Sequence, residues 1–271
     1  MAISFEGKVC VITGAGNGLG KSHALALASR GAKVVVNDLG GARDGTGASS
    51  EAADAVVDEI HKLGGEAFPH GANVTNFDEV RDMIDQTMKK WGRVDVLINN
   101  AGIYPSSFLL DMRIEDWDQI MGVNVRAPFA LMRGFSLQMI REKIKGSFVN
   151  ISSGAARKMR RTAVTYCMSK TALDRMSKGF ALELAEYGIR VNCLEPGFAK
   201  GSSVSHLSEE QIEQVLASIP LGGEISKNDI GHAALYLASS AARNVTGTTL
   251  SVDGGNSAGT MDVYQEKKRA L

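Results

Sequence analysis

Residues 8–38 read KVCVITGAGNGLGKSHALALASRGAKVVVND, and the order of residue types along them decides the architecture. Residues 8–13 (KVCVIT) are a short apolar run that ends in a glycine loop, GAGNGLG, at 14–20. A helical pattern follows to Arg30, carrying Leu25, Ala26 and Leu27, and a second apolar run, residues 33–38 (KVVVND), closes the unit. Strand, glycine loop, helix and strand in this order suit a pyrophosphate. Glycines let the backbone turn tightly and approach the phosphates, whose charge then meets the helix N-terminus. A plain strand-to-helix turn has no need of glycines at 14, 18 and 20. Asp38 ends the second strand, 24 residues beyond Gly14. An acid there can hold both ribose hydroxyls of NAD and would repel the extra phosphate of NADP; the plainer role is to cap a turn.

The same alternation runs to the other end of the chain. Residues 39–50 (LGGARDGTGASS) read as a surface loop, in which Arg43 is the one cation able to admit NADP. Residues 51–63 predict a helix with Ala52, Ala55, Val56 and Ile60 on its buried face. A strand at 66–68 leads to Asn73, Val74 and Thr75 at its carboxyl end, beside an adenine site. Val80, Ile84 and Met88 mark an amphipathic helix over 77–91. Residues 94–99 (VDVLIN) predict a fully buried strand ending in Asn99, Asn100, Ala101 and Gly102, small enough at its end for something flat to approach. Residues 114–140 are helical with an interruption near Pro128, and Asn124 is a polar residue in an apolar row. Strands at 148–151, 189–194 and 248–252 frame helices at 163–187, 209–216 and 228–239. The pattern predicts an α/β, doubly wound parallel sheet of about seven strands with helices on both faces. It also predicts a single domain over 1–271, with a substrate loop and lid at 197–220.

Composition narrows the partners. Lysine plus arginine equals aspartate plus glutamate at 30 each, so no global charge favours nucleic acid or an anionic membrane surface. No apolar run is long enough to span a bilayer, and no secretory leader is visible, so cytoplasmic is the expected location. Cys10, Cys167 and Cys193 are scattered without metal-type spacing, which points to a reducing compartment and to no metal site.

The chemistry concentrates in residues 150–170 (NISSGAARKMRRTAVTYCMSK). Tyr166 and Lys170 are four apart, on one face of a helix. A free tyrosine, with a pKa of roughly 10, is a poor base near neutrality, and a neighbouring cation favours its phenolate. Lowering that value by about three units corresponds to roughly 4 kcal/mol, which Lys170 and a bound cationic cofactor are expected to supply together. Ser152 and Ser153 stand where a strand ends, the edge of an α/β sheet at which ligands bind. A hydroxyl donor and a tuned tyrosine facing one volume suit proton transfer to an alcohol or ketone oxygen.

Together these residues resemble the short-chain dehydrogenase/reductase family in its compact form, over nearly the whole chain. The resemblance implies a Rossmann-type fold and hydride transfer between a nicotinamide ring and a secondary alcohol or ketone. The cofactor segments carried over are Gly14, Asn17, Gly18, Leu19 and Gly20; Asp38; Asn73 and Val74; Asn100, Ala101 and Gly102; and Pro196, Gly197 and Ala199. Asn124, Ser153, Tyr166 and Lys170 fall at the catalytic tetrad, Ser153 rather than Ser152 by its spacing to the tyrosine. By resemblance Tyr166 is the general acid/base and Ser153 bonds the substrate oxygen. Lys170 lowers the tyrosine's pKa and binds the nicotinamide ribose, and Asn124 supports a water-linked proton relay. NAD is the implied cofactor, with NADP second, and a homotetramer or homodimer the implied assembly. Residues 36–41 (VNDLGG) are also similar to the hydroxyacyl-CoA dehydrogenase unit of peroxisomal multifunctional enzymes.

Three features depart from the family pattern. Asn73 stands where an aspartate usually faces the adenine, and its amide oxygen is expected to substitute. Ala199 and Gly201 replace a branched residue and a threonine, with Ser202 or Ser203 left to compensate. Arg157, Lys158, Arg160 and Arg161 crowd a segment that is usually apolar or glycine-rich, and they either bind an anionic substrate group or form a solvated rim. The remaining pocket is expected to be apolar, from Tyr104, Phe108, Met159, Phe198, Val204 and Leu207, for a bulky alcohol such as a hydroxysteroid, hydroxyacyl thioester or aryl carbinol. The competing class is a non-catalytic sensor of the nicotinamide pool. Such a relative is expected to lose the tyrosine or the lysine, and this chain keeps both.

Overall fold

The computed structural model describes residues 3–41, 47, 49–199 and 208–259. Val9–Thr13 (β1) is buried at every position, and in Lys33–Asn37 (β2) only the first residue is partly open. Strands apolar on both faces need a cover on both faces, and the chain supplies it. Ile12, Val34 and Ile98 point into a layer with Leu27, Ile60 and Leu237. Their immediate neighbours Val11, Val35 and Leu97 point the other way, onto Met83, Phe135 and Leu184. The two-residue period of a strand thus builds two cores on one sheet.

The remaining strands are Glu66–His70 (β3), Val96–Asn99 (β4), Ser147–Ile151 (β5), Arg190–Pro196 (β6) and Thr249–Val252 (β7). All pairs are parallel, in the spatial order β3-β2-β1-β4-β5-β6-β7. The order reverses between β1 and β4, which opens a crevice at the carboxyl ends of those strands. Gly18–Ala28 (α1), Glu51–Lys62 (α2) and Phe77–Trp91 (α3) follow the first three strands. Ile114–Met121 (α4), Ala127–Arg141 (α5) and Val164–Leu184 (α6) connect the middle of the sheet, and Glu209–Ala217 (α7) and Lys227–Ala238 (α8) precede β7. Capping boxes start α7 (Ser208 with Gln211) and α8 (Ser226 with Asp229).

Some boundaries differ from those the pattern predicts. β3 continues through Pro69 to His70, because β3 is an edge strand and proline's missing N–H is tolerated there. The break expected near Pro128 in the 114–140 helix lies directly before that proline, which sits at the start of α5. It is a π-helical turn, Gly122–Arg126, centred on Asn124. β6 does not stop before Glu195 but carries Glu195 and Pro196 to its end, paired with Ser251 and Val252. Of the expected lid, α7 is present; Val204, Leu207, Gly201, Ser202 and Ser203, like Arg43 in the earlier loop, lie outside the described residues. No helix among the described residues is long and apolar enough to cross a membrane, and none of their acidic, histidine or cysteine side chains cluster as metal ligands.

His23 on α1 is buried, and neither ring nitrogen has a hydrogen-bond partner among the described residues. Burial pushes its pKa from 6.5 down to about 4. The unfolded chain takes up this proton before the folded one does. The associated stability is therefore complete above pH 6.5 and lost as pH falls toward 4. At pH 5 the expected loss is about 2 kcal/mol. Urea unfolding at pH 7.5 and 5 tests this: a His23→Leu variant is expected to lose about 2 kcal/mol less than the parent between those pH values. Equal losses would remove His23 from the acid sensitivity.

Candidate active site

The crevice at the switch point is a cleft of about 1040 Å³ that runs from the glycine loop to Tyr166. Gly14 holds a φ of +62°, and a Cβ there would stand 2.9 Å from Ala101 Cα. A Cβ on Gly20 would meet the Gly14 carbonyl at 2.0 Å. Both positions therefore require glycine. Asn100 ties the loop in place, its Nδ2 donating to Thr13 O (3.0 Å) and Gly14 O (2.8 Å). Asn17 makes no side-chain cap to α1, whose first turn also lacks an acid, and Asn17, Gly18 and Leu19 line the cleft. Uncapped amides at a helix N-terminus, reached over glycines, form a cradle for a pyrophosphate.

At the end of β2, Asp38 Oδ2 accepts from Gly16 N and Oδ1 from Gly40 N, each at 2.7 Å. Each carboxylate oxygen keeps a second lone pair for a ligand. Asn73 and Val74 line the same end. The Asn73 amide oxygen, expected to face an adenine, is instead engaged by Thr75 N (3.0 Å) and Thr75 Oγ1 (2.8 Å). Gly20 and Ala199, both expected at the cofactor, do not line the cleft; Gly20 acts through loop shape and Ala199 is buried.

At the other end the hydroxyls separate by role. Ser152 also lines the cleft, but its Oγ donates to Asp174 Oδ1. Ser153 lines the cleft together with Tyr166 and caps the turn Gly154–Ala156, its Oγ accepting from Ala155 N at 3.2 Å. Tyr104 packs edge-on to Tyr166, ring centroids 5.9 Å apart. Lys170 Nζ donates to Ile151 O at 2.8 Å and lies 5.8 Å from the centre of the Tyr166 ring. Burial pushes the Lys170 ammonium down to about 8. Burial also raises the Tyr166 pKa, opposed by the Ser153 hydrogen bond and the charge of Arg160. The lowering expected from Lys170 and a bound cationic cofactor together is not supplied by the chain alone: desolvation of the phenol outweighs the charge of Arg160. Asn124 is fully buried, its Oδ1 accepting from Ile103 N (2.9 Å) and its Nδ2 donating to Ile103 O (2.8 Å) and Ser169 Oγ (3.0 Å). Its amide clamps Ile103 to α6.

Glu195, just beyond the expected strand at 189–194, lies next to the site. It is wholly buried, with Arg157 Nη2 2.8 Å from its Oε2. The guanidinium's aligned hydrogen bond goes to Ser251 Oγ at 2.7 Å. A Cβ on Gly154 would stand 3.5 Å from Glu195 Oε1, so the carboxylate lies directly under the turn that carries Ser153. An acid following the apolar pair Cys193-Leu194 near the end of a strand was the available signal. Breaking a buried pair on one side costs about 3–5 kcal/mol, less where one partner is partly solvated as Arg157 is. Glu195→Ala is expected to cost about 2 kcal/mol in urea unfolding and about tenfold in kcat, with Glu195→Gln intermediate. Unchanged kcat in both variants would dissociate the pair from the serine turn.

Of the residues expected at the substrate, Tyr104, Phe198 and Arg160 line the cleft; Met159 and Phe108 are exposed and do not. A doubly wound sheet with a phosphate cradle at its switch point, and a serine, tyrosine and lysine at the far end, defines a dinucleotide-dependent class of protein. A family model described as enoyl-(acyl carrier protein) reductase matches residues 14–257. A 3-oxoacyl-[acyl-carrier-protein] reductase from Thermotoga maritima is 37% identical over 92% of this chain and 98% of its own. A 7α-hydroxysteroid dehydrogenase complexed with NADH and 7-oxo glycochenodeoxycholic acid superposes with a TM-score of 0.87, at 34% identity over 93% of this chain and 95% of its own. A gluconate 5-dehydrogenase from Burkholderia cenocepacia in complex with NADP and tartrate gives 0.87 at 30% identity, over 94% and 97%. The chain belongs to the short-chain dehydrogenase/reductase family of nicotinamide-dependent oxidoreductases.

Proposed function

We propose that this protein is an NAD-preferring oxidoreductase that interconverts a bulky secondary alcohol and its ketone, with Tyr166 as the general acid/base. The observation that carries it is the meeting of the Ser153 hydroxyl, the Tyr166 phenol and the Lys170 side chain in the cleft that also holds the glycine loop. When bound, the nicotinamide supplies or accepts the hydride. Ser153 donates a hydrogen bond to the substrate oxygen, where charge gathers during reduction. Tyr166 gives the proton that makes the alcohol, and in oxidation takes it back. Desolvation keeps the phenol protonated, the state reduction needs, and the Ser153 bond keeps the phenolate within reach for oxidation. Lys170 spends one donor on Ile151 O and has two left for a ribose. Asn124 holds Ile103 and so the wall beside Tyr104.

The NAD preference rests on Asp38, whose carboxylate would repel a 2′-phosphate at the end of β2. The four-residue spacing of Tyr166 and Lys170 favours carbonyl over enoyl chemistry, since the enoyl-reducing branch spaces that pair further apart. Tyr104, Phe198 and Val215 give an apolar wall to the substrate end. Two or four copies are proposed to associate through α5 and α6, where Phe129, Leu137 and Leu182 are exposed.

Spectroscopic assay of NAD and NADP reduction tests the reading against 3-hydroxyacyl-CoAs, hydroxysteroids and aryl carbinols. NAD-dependent turnover of a secondary alcohol is the expected result. Cofactor binding without turnover of any of them would return the protein to the class of nicotinamide sensors.

A further inference from the structure

Four cations crowd the segment between Ser153 and Tyr166, and the fold occupies three of them. Arg157 pairs with Glu195 and bonds Ser251. Lys158 Nζ donates to Asn256 O at 2.8 Å. Arg161 lies over the Phe108 ring, 5.3 Å from its centre. Arg160 and Arg161 make no ion pair or side-chain hydrogen bond among the described residues, but Arg161 is turned onto Phe108, and of the two only Arg160 lines the cleft with Tyr166.

The backbone holds that arginine where it is. Ala163 N bonds Arg160 O at 3.1 Å, closing a turn, and Ser107 N bonds Thr162 O at 2.8 Å, pinning the turn to the segment after β4. Thr162 sits at φ +67°, a strained conformation for a β-branched residue. Strain of this kind persists where the surroundings impose it, and it clusters at functional sites. The acids that share the cleft are committed or distant: Asp253 accepts from Ser257 N and Gly255 N, Asp38 serves the glycine loop, and Asp118 is on α4 with no ion pair to Arg160.

We propose that Arg160 anchors an anionic group, a carboxylate or a phosphate, carried on the same molecule as the reacting alcohol or ketone, and so sets selectivity for charged over neutral substrates. The inference rests on the alcohol–ketone reading and names its substrate class. A guanidinium presents a planar fork that matches either oxyanion with two parallel hydrogen bonds. Tyr104 and Phe198 line the same end, so the recognised molecule pairs an apolar body with an anionic head.

The test compares kcat/KM for a carboxylated aryl carbinol, its methyl ester and the corresponding phosphate monoester. Arg160→Gln is expected to lower the ratio of charged to ester substrate by about 30-fold, the loss of one or two charge-assisted hydrogen bonds. Arg160→Lys is expected to keep part of that ratio. A fall confined to the carboxylate or to the phosphate identifies the group; an unchanged ratio for both overturns the proposal. Titration of the NADH complex with an unreactive aryl carboxylate and its methyl ester, followed by nicotinamide fluorescence, gives a readout free of turnover. Tighter carboxylate binding that Arg160→Gln abolishes supports the anchor, and equal binding overturns it. Ester turnover without charge preference would fell the anchor alone; charge-dependent binding without turnover would fell the alcohol–ketone reading alone.

Discussion

Tyr166→Phe is expected to lower kcat by about three orders of magnitude while leaving cofactor affinity within about threefold. In the proposed mechanism the phenol oxygen exchanges a proton with a substrate oxygen held by Ser153. The ring, by contrast, packs edge-on against Tyr104 and is kept by phenylalanine. The substitution therefore removes the acid and leaves the wall. Steady-state assay gives the first quantity and fluorescence titration with NADH the second. A kcat within tenfold of the parent would transfer the proton chemistry to another group.

The pH profile carries a sign that follows from the same geometry. Alcohol oxidation needs the phenolate, so its rate rises with pH through the Tyr166 pKa. The Ser153 hydrogen bond lowers that pKa. Ser153→Ala is then expected to move the rising limb to higher pH, in addition to lowering the rate. A limb that stays in place would break the coupling of the two hydroxyls.

The strands were legible because a sheet covered on both faces leaves no room for polar alternation, and KVCVIT, KVVVN and VLIN are apolar almost throughout. The glycine loop was legible for a related reason: a missing side chain is recorded directly in sequence, and the contacts at Gly14 and Gly20 leave no alternative to it. What stayed hidden depends on partners remote in sequence. Pro69 reads as a strand end until β3 is seen to be an edge. Asn124 reads as a polar residue in an apolar row until the π turn brings it onto Ile103, 21 residues away, and Ser169, 45 residues away. Glu195 falls outside the expected strand at 189–194 and has no visible role until Arg157 closes on it from the serine turn. Helical spacing reports the nearness of Lys170 and not the burial of the phenol, which raises the tyrosine's pKa in the chain alone and leaves its lowering to the bound cofactor. Among the four basic residues, sequence identifies the cluster and only tertiary contacts divide it.

Cofactor choice is the second large effect. Asp38→Ser is expected to reduce the preference for NAD over NADP, measured as the ratio of kcat/KM values, by about 100-fold, or about 2.7 kcal/mol. Two terms contribute. The carboxylate offers a lone pair on each oxygen to the ribose hydroxyls, and hydrogen bonds to a charged group contribute about 1.5–3 kcal/mol each. Its charge also opposes a 2′-phosphate. Both oxygens are already fixed by Gly16 N and Gly40 N, so Asp38 enters binding with its orientation set. Asp38→Asn separates the two terms, because it keeps the size and one acceptor but discards the charge. If repulsion dominates, Asn improves kcat/KM with NADP and costs little with NAD; if hydroxyl binding dominates, NAD suffers and NADP gains little. An unchanged ratio in both variants would reduce Asp38 to a turn cap that joins Gly16 to Gly40, and would move the choice of cofactor to the loop that follows β2.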